Sequence, residues 1–434
     1  MIRTALLLST LLASAATAAP APVSEAELKA TITTLVGFGT RHSLSDTQSE
    51  TRGIGAARRW AAARLATISR DCGGCLTIET PGKIFTGDRV PVPTEIVDVL
   101  AIQPGTSDPG RVIIMSAHID SRNSDPLDAR GDAPGANDDG SGTAAVIEAA
   151  RVLSKQKFAA TIVYAVLSGE EQGLLGGKLL AETAKAKGWR VAAVLNNDIV
   201  GNSHGSGGAR DDKTVRVFSE GTRATETPAE ANRRRYNGGE VDSPARNLSR
   251  YIAGLASPGL RVEQVWRTDR FGRGGDQVPM LEAGFPAVRI TERQEHYDRQ
   301  HQNIRTENGR AYGDVISGVD FPYLAKVTRL NITALAALAT APAPPTGVSI
   351  AGQVSPDTKL SWKPVSGATG YRIWWRPTTA VAWTQHRDVG ADATSLTLTG
   401  IDIDSWFFGV SALGPNGSAS PVVYPGVAGA FLPE

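Results

Sequence analysis

Four short blocks of this sequence carry side chains able to do chemistry together: His118-Ile119-Asp120, Gly135-Ala136-Asn137-Asp138-Asp139-Gly140-Ser141-Gly142, Ser168-Gly169-Glu170-Glu171 and Asn196-Asn197-Asp198. Each alone has a bland reading. A histidine after a strand is commonly structural, paired glutamates are frequent on surfaces, and Asp-Asp-Gly is an ordinary turn. Together they offer imidazole nitrogen and carboxylate oxygen, the mixed donor set suited to zinc. Without a cation, so many carboxylates on one rim would repel one another.

The elements that must position these blocks are strands. Stretches 95–102, 111–118, 161–167 and 191–197 are rich in β-formers, and helical patterns begin near residues 141, 173 and 244. Strands alternating with helices of this length imply an α/β fold, a mixed and mostly parallel sheet sandwiched by helices. Ligands in such sheets gather beyond the carboxyl ends of the strands, which is where His118, Glu170, Glu171 and Asp198 fall. The first two strands read as a hairpin, because only residues 104–110 separate them. Further strands are expected at 213–219, 261–266 and 287–291, a helical stretch at 24–68, and a closing helix at 321–339.

Beyond residue 340 the composition changes. Residues 341–346 form a proline-rich linker, and 347–434 alternate apolar and polar residues in short strands separated by turns. Trp362, Gly367-x-x-Gly370-Tyr371 and Phe408-x-Val410-x-Ala412 make this part resemble a fibronectin type III β-sandwich. The expected role is a spacer or stabilising module, separable from residues 20–340.

With the four blocks assembled, the region from about 30 to 340 resembles metallopeptidase family 28, the secreted two-zinc aminopeptidases. The blocks that carry the resemblance are His118-x-Asp120, the Asn137-Asp138-Asp139-Gly140 loop, Glu170-Glu171-x-Gly173-Leu174-Leu175-Gly176 and Asn197-Asp198, and their order and spacing match as well. The resemblance implies the zinc exopeptidase fold and two zinc ions. It implies that Asp138 bridges them, that His118 and Asp198 complete one site, and that Glu171 and a late histidine complete the other. Glu170 would be the general base, and Asp120 the carboxylate that receives the ring N–H of His118. It also implies a cis peptide at Asp138-Asp139.

The late histidine is a choice between His296 and His301, because Glu295-His296-Tyr297-Asp298-Arg299-Gln300-His301 does not reproduce the family's Tyr-His-Thr block. His301, beside Gln302-Asn303-Ile304-Arg305 and ahead of the closing helix, is the expected ligand. The oxyanion-assisting or substrate-contacting tyrosine is expected at Tyr297, with Tyr236 as the other candidate.

Two zinc ions would acidify a shared water and polarise a scissile carbonyl, with Glu170 moving the proton. The acidic rim favours a free α-amino group, so an aminopeptidase acting on peptides is the expected function. Arg270 and Arg273 point the other way, since either could pair with a substrate carboxylate, although surface or loop-ordering roles are the plainer reading. A carboxypeptidase, a one-zinc glutaminyl cyclase of the same fold, or a non-catalytic binding protein are the alternatives.

Whole-chain properties bound these readings. Of 434 residues 41% are hydrophobic, and 45 Lys+Arg nearly balance 44 Asp+Glu, so the chain is no polyelectrolyte and nucleic acid is an unlikely partner. No obligate protein partner is evident. Arg3, the apolar run 5–13 and Ala15-Ala16-Thr17-Ala18-Ala19 read as a signal peptide over residues 1–19, implying a secreted or periplasmic protein; no run is long enough for a transmembrane helix. The two cysteines, Cys72 and Cys75, are expected to form a local disulfide in that oxidising setting.

Overall fold

The computed structural model describes residues 22–432, so the expected signal peptide at 1–19 lies outside the described residues. Two helices open the chain, α1 (Glu25–Gly37) and α2 (Gly53–Asp71), and the Cys72–Cys75 disulfide closes the end of the second. Ser24 caps α1, its side chain accepting the Glu27 N–H. The expected single helical stretch at 24–68 is therefore interrupted. Residues 38–52 leave the helical path, carrying the fully buried Arg41 and His42 inward, and Gly53 restarts the helix at φ +86°, where a side chain would be strained.

The strands follow as β1 (Thr77–Glu79), β2 (Gly82–Gly87), β3 (Val90–Val97), β4 (Val99–Gln103) and β5 (Asp108–His118), then α3 (Gly140–Leu153) and β6 (Ala160–Leu167). Next come α4 (Leu175–Ala186), β7 (Arg190–Asn197), β8 (Thr214–Phe218), α5 (Pro228–Asn237), α6 (Pro244–Gly254) and β9 (Arg261–Val265). The larger part ends with α7 (Gln277–Glu282), β10 (Ala287–Glu292), the short pair β11 (Arg305–Glu307) and β12 (Arg310–Tyr312), and α8 (Phe321–Thr340).

Eight strands form one sheet in the order β1-β4-β6-β5-β7-β10-β8-β9. Its centre is parallel: β5 pairs in parallel with β6 and β7, and β7 with β10. Alternation along β5 explains the two covered faces. Ile113, Met115 and Ala117 turn to one core, with α1, α3 and α8, while Val112 and Ile114 turn to the other, with Leu180 of α4 and Met280 of α7. Being covered on both sides, β6 buries every residue.

Two expectations change. The hairpin at 95–118 does not form: β4 pairs antiparallel with β6, and β5 lies on the far side of β6. The connector makes this possible by binding to the start of β6, with Thr106 N donating to Phe158 O, Asp108 N to Ala159 O and Gly105 N to Thr161 Oγ1. The strand expected at 95–102 is also two strands. Asp98, buried and accepting the Ser168 N–H, marks the break where β3 leaves its hairpin with β2 and β4 enters the large sheet.

The C-terminal strands are β13 (Ser349–Ala351), β14 (Thr358–Ser361), β15 (Gly370–Pro377), β16 (Gln385–Gly390), β17 (Ser395–Leu398) and β18 (Trp406–Leu413). They make two antiparallel three-stranded sheets, β13-β14-β17 and β16-β15-β18. Leu360, Trp362, Tyr371, Ile373, Leu398, Phe408 and Val410 are buried in them. This part does not hang from its linker. Asp242, fully buried just before α6, accepts from Arg376 Nη2 at 2.7 and 2.9 Å and from Arg250 Nη1 at 2.9 Å. Trp383 Nε1 donates to Asn247, Arg250 Nε to Val381 O, and Arg111 reaches Leu338 O and Ala341 O at the linker.

Candidate metal centre

The four blocks meet at the carboxyl edge of the central strands. His118 ends β5, Glu170 and Glu171 follow β6, and Asp198 follows β7; Asp138 and Asp139 lie in the loop ahead of α3, joined by a cis peptide bond. Asp139 caps that helix, its Oδ1 accepting from Gly142 N at 2.9 Å and from Ile199 N at 3.2 Å. It thereby ties the loop to the strand end that carries Asp198. His301 comes from the loop between β10 and β11, at φ +50°, a backbone state that non-glycine residues adopt at some cost and that favours functional positions.

Two donor groups share Asp138. His118 Nε2 lies 3.3 Å from Asp138 Oδ1 and 4.0 Å from Asp198 Oδ1. On the other side His301 Nε2 lies 3.1 Å from both Asp138 Oδ2 and Glu171 Oε1. Within each group the donor atoms fall within 4.8 Å of one another. Ligand atoms about 2 Å from a tetrahedral zinc sit roughly 3.3 Å apart, so these spacings fit the ion. Glu171 Oε1 is buried and makes no hydrogen bond, although His301 is so close. An orphaned carboxylate oxygen facing an imidazole nitrogen is what a metal ligand looks like before the metal is counted.

Asp120 organises the outer side. Its carboxylate accepts from Ser43 Oγ at 2.9 Å, from Glu170 N at 3.3 Å and from Glu171 N at 3.2 Å, and lies 3.5 Å from His118 Nδ1. The shorter contact of Nδ1, 3.1 Å, is to the Asp120 carbonyl oxygen, so residue 120 orients the ring through backbone and side chain together. Burial opposes ionisation of Asp120, but His118, Ser43 and the Glu171 N–H outweigh it and hold the carboxyl below its usual range. Asp138 follows the same logic more strongly: burial is overcome by His118 and His301. Glu170 is the opposite case. Burial first, then Asp198 and Glu171, push its carboxyl well up.

Several residues that hold the site carried no signal in the sequence. Arg41 ties the metal loop from behind, donating to Ile119 O, Pro134 O and Gly135 O. Asp314 accepts the N–H groups of Asn137 and Asp138, and Glu292 accepts from Asn137 Nδ2 and Asn202 N. Arg289 Nη1 sits 2.6 Å from Asp198 Oδ2. Arg122 reaches the other group, with Nε 3.0 Å from Glu171 Oε2 and Nη2 2.7 Å from His301 Nδ1.

His296 does not join the cluster; its Nδ1 faces Asp298 Oδ2 at 3.9 Å. Tyr297 lines the cleft over the donor groups but is 61% exposed, held by its backbone N–H to Ser206 Oγ rather than by its ring. Tyr236 lies elsewhere, exposed beside the C-terminal sheets, and has no part in the site. Arg270 and Arg273 both line the cleft; the surface reading does not hold for Arg270, whose side chain is 9% exposed, whereas its contacts to Asp269 and Gly274 O fit the loop-ordering one.

An α/β sheet with a histidine–carboxylate cluster on its carboxyl edge and a glutamate beside it defines a metal-dependent hydrolase type of centre. Residues 98–319 match the Peptidase family M28, and the chain belongs to that family. It is 45% identical over 411 residues to a probable zinc metalloprotease of Leptosphaeria maculans, covering 93% of this chain and 95% of that one. A probable zinc metalloprotease of Pyrenophora tritici-repentis is 44% identical over 413 residues, covering 93% and 85%. The protein is thus a zinc metallopeptidase. Among solved structures, LapA aminopeptidase of Legionella pneumophila superposes with a TM-score of 0.51 at 19% identity, covering 73% of this chain and 72% of that one. A leucine aminopeptidase precursor of Bacteroides thetaiotaomicron gives 0.51 at 15%, covering 73% and 97%. At these identities the likeness speaks for the fold.

Proposed function

We propose that this protein is a two-zinc exopeptidase that removes N-terminal residues from peptides. The observation that carries the reading is the sharing of Asp138 between His118–Asp198 on one side and Glu171–His301 on the other, with Glu170 lining the same cleft. When bound, the zinc pair supplies Lewis acidity towards water and the scissile carbonyl. Glu170 accepts the proton of the attacking water at a carboxylate oxygen and delivers it to the leaving amine nitrogen. Asp120 fixes the Glu170–Glu171 backbone, so that one side chain serves as ligand while its neighbour remains free to move a proton. Tyr297, at the cleft mouth, is a candidate substrate contact.

The residues 1–19 pattern supports export, to the medium or the periplasm, and the two C-terminal sheets support a fibronectin type III-like module. Attack from the carboxyl terminus is the second reading, favoured by Arg270 and Arg273 in the cleft wall. A set of free, N-acetylated and C-amidated peptides, incubated with and without chelator and read by mass spectrometry, separates them. Chelator-sensitive loss of single N-terminal residues, blocked by acetylation, is expected. C-terminal trimming supports the second reading, and no cleavage with zinc loaded overturns both.

A further inference from the structure

The cleft above the metal donors, about 540 Å³, has an uneven lining. Asp138, Glu170, Glu171 and Asp198 line it together with Arg89, Arg122, Arg270 and Arg273. On the wall beside Asp198 the guanidinium groups outnumber the carboxylates available to them. Glu295 faces three arginines at once: Arg216 Nη2 at 2.5 Å, Arg273 Nη1 at 3.3 Å and Arg270 Nη1 at 3.6 Å. Asp269 is shared by Arg270, at 3.2 Å, and Arg289, at 3.5 Å. Asp198 is the third, with Arg289 Nη1 2.6 Å from its Oδ2, and one guanidinium is still left over. Four arginines thus share three carboxylates.

Arg270 shows where the surplus is directed. Its side chain is almost wholly buried, its Nη2 stands 4.0 Å from Asp198 Oδ2 and donates to Gly274 O, and its Nη1 makes no hydrogen bond at all. Arg273, more exposed, hydrogen-bonds only through Nη1 and leaves the rest of its fork to the cleft. A buried, unsatisfied guanidinium N–H is costly unless something else accepts from it. The planar fork matches a carboxylate, which takes two parallel N–H···O bonds. Two bound dications would balance the four lining carboxylates, and the arginines would then leave the cleft positive, which favours an anionic substrate group over a cationic one.

We propose that Arg270, assisted by Arg273, binds a carboxylate of the substrate next to the metal centre, making this a peptidase for acidic or carboxylate-ended substrates. The inference rests on the exopeptidase reading and sharpens its substrate class. A carboxylate can come from an Asp or Glu side chain or from a peptide's own C-terminus. Both would use the same fork.

The test is the steady-state kinetics of the zinc-loaded full chain on matched peptides: Glu against Gln at the N-terminal position, and free against amidated C-termini. Wild-type kcat/KM is expected to favour one acid over its amide by roughly tenfold or more, the scale of charge-assisted hydrogen bonds. The pair that shows the ratio names the source. Arg270→Gln is expected to collapse that ratio towards one through KM, and Arg270→Lys to restore part of it. Equal rates on both acid–amide pairs overturn the proposal, as does an Arg270→Gln effect equal on acid and amide, which would make Arg270 a loop-positioning residue. Calorimetric binding of the same peptides to Glu170→Gln protein supplies a second readout independent of turnover. If no peptide is cleaved, the exopeptidase reading falls, and the acid–amide difference in binding still decides the carboxylate site for or against.

Discussion

Two of the places where the protein buries carboxylates treat them in opposite ways. At the seam with the C-terminal sheets, Asp242 has no exposure, and Arg376 and Arg250 saturate it. Both cations come from the chain itself, so the charge is spent on holding the two parts together. At the sheet edge two histidines stand 3.1–4.0 Å from Asp138, Glu171 and Asp198; Arg289 pairs with one oxygen of Asp198 and Arg122 with one of Glu171, and Glu171 Oε1 is left unbonded. There the chain's own cations meet only part of the charge, and the inner oxygens are left for a metal. The pairing of a buried acid thus tells structure from function better than its burial does.

The contrast is most easily broken at the base. Glu170→Gln is expected to keep bound zinc yet lose about three orders of magnitude in turnover, the scale of a lost metal-assisted base; metal analysis beside a rate measurement checks both halves, and near-normal turnover removes Glu170 from its role. At the seam, Asp242→Ala strands two buried guanidinium groups. It should cost about 3–5 kcal/mol in denaturant unfolding while leaving the zinc content of the folded fraction unchanged. Truncation after Pro345 should behave likewise, contrary to the expectation of a separable module. A stable, soluble truncation would show that the seam is dispensable.

Acid should separate the two regions as well. Burial disfavours charge on His301, but Glu171 and Asp138 outweigh it and push the ring up to about 10 in the metal-free protein; His118 is raised too, by Glu170, Asp120 and Asp138 against its own burial. Zinc must displace those protons. Below the raised values each proton makes apparent zinc affinity fall by roughly tenfold per pH unit, so zinc titrations between pH 8 and pH 6 should weaken steadily and release protons. Affinity independent of pH would contradict this. The smallest effect is expected from Ser43→Ala, which removes one hydrogen bond to Asp120 and should weaken zinc binding only several-fold, about 1 kcal/mol.

The sequence exposed the donor side of this comparison and hid the other. His118, Glu170, Glu171 and Asp198 were legible because each directly follows a strand of the parallel centre, where the sheet topology gathers strand ends on one edge. Arg41, Arg289 and Asp314 were not, since they reach the site from the break between α1 and α2, from inside β10 and from the loop before α8. Nothing local marks an arginine for burial. The α1–α2 break was masked by helical periodicity on both sides of it. A short connector suggests neighbouring strands, whereas this connector pins itself to the start of β6. Asp242 gave no sign either, because its partner Arg376 lies 134 residues away.

The measurement that bears most directly on the metal centre is zinc content per folded chain, by mass spectrometry of purified protein, for the wild type and for His301→Ala and His296→Ala. The shared-Asp138 arrangement predicts two zinc ions in the wild type, a loss confined to one of them in His301→Ala, and two retained in His296→Ala. A single zinc in the wild type, or loss with His296→Ala and not with His301→Ala, would contradict it.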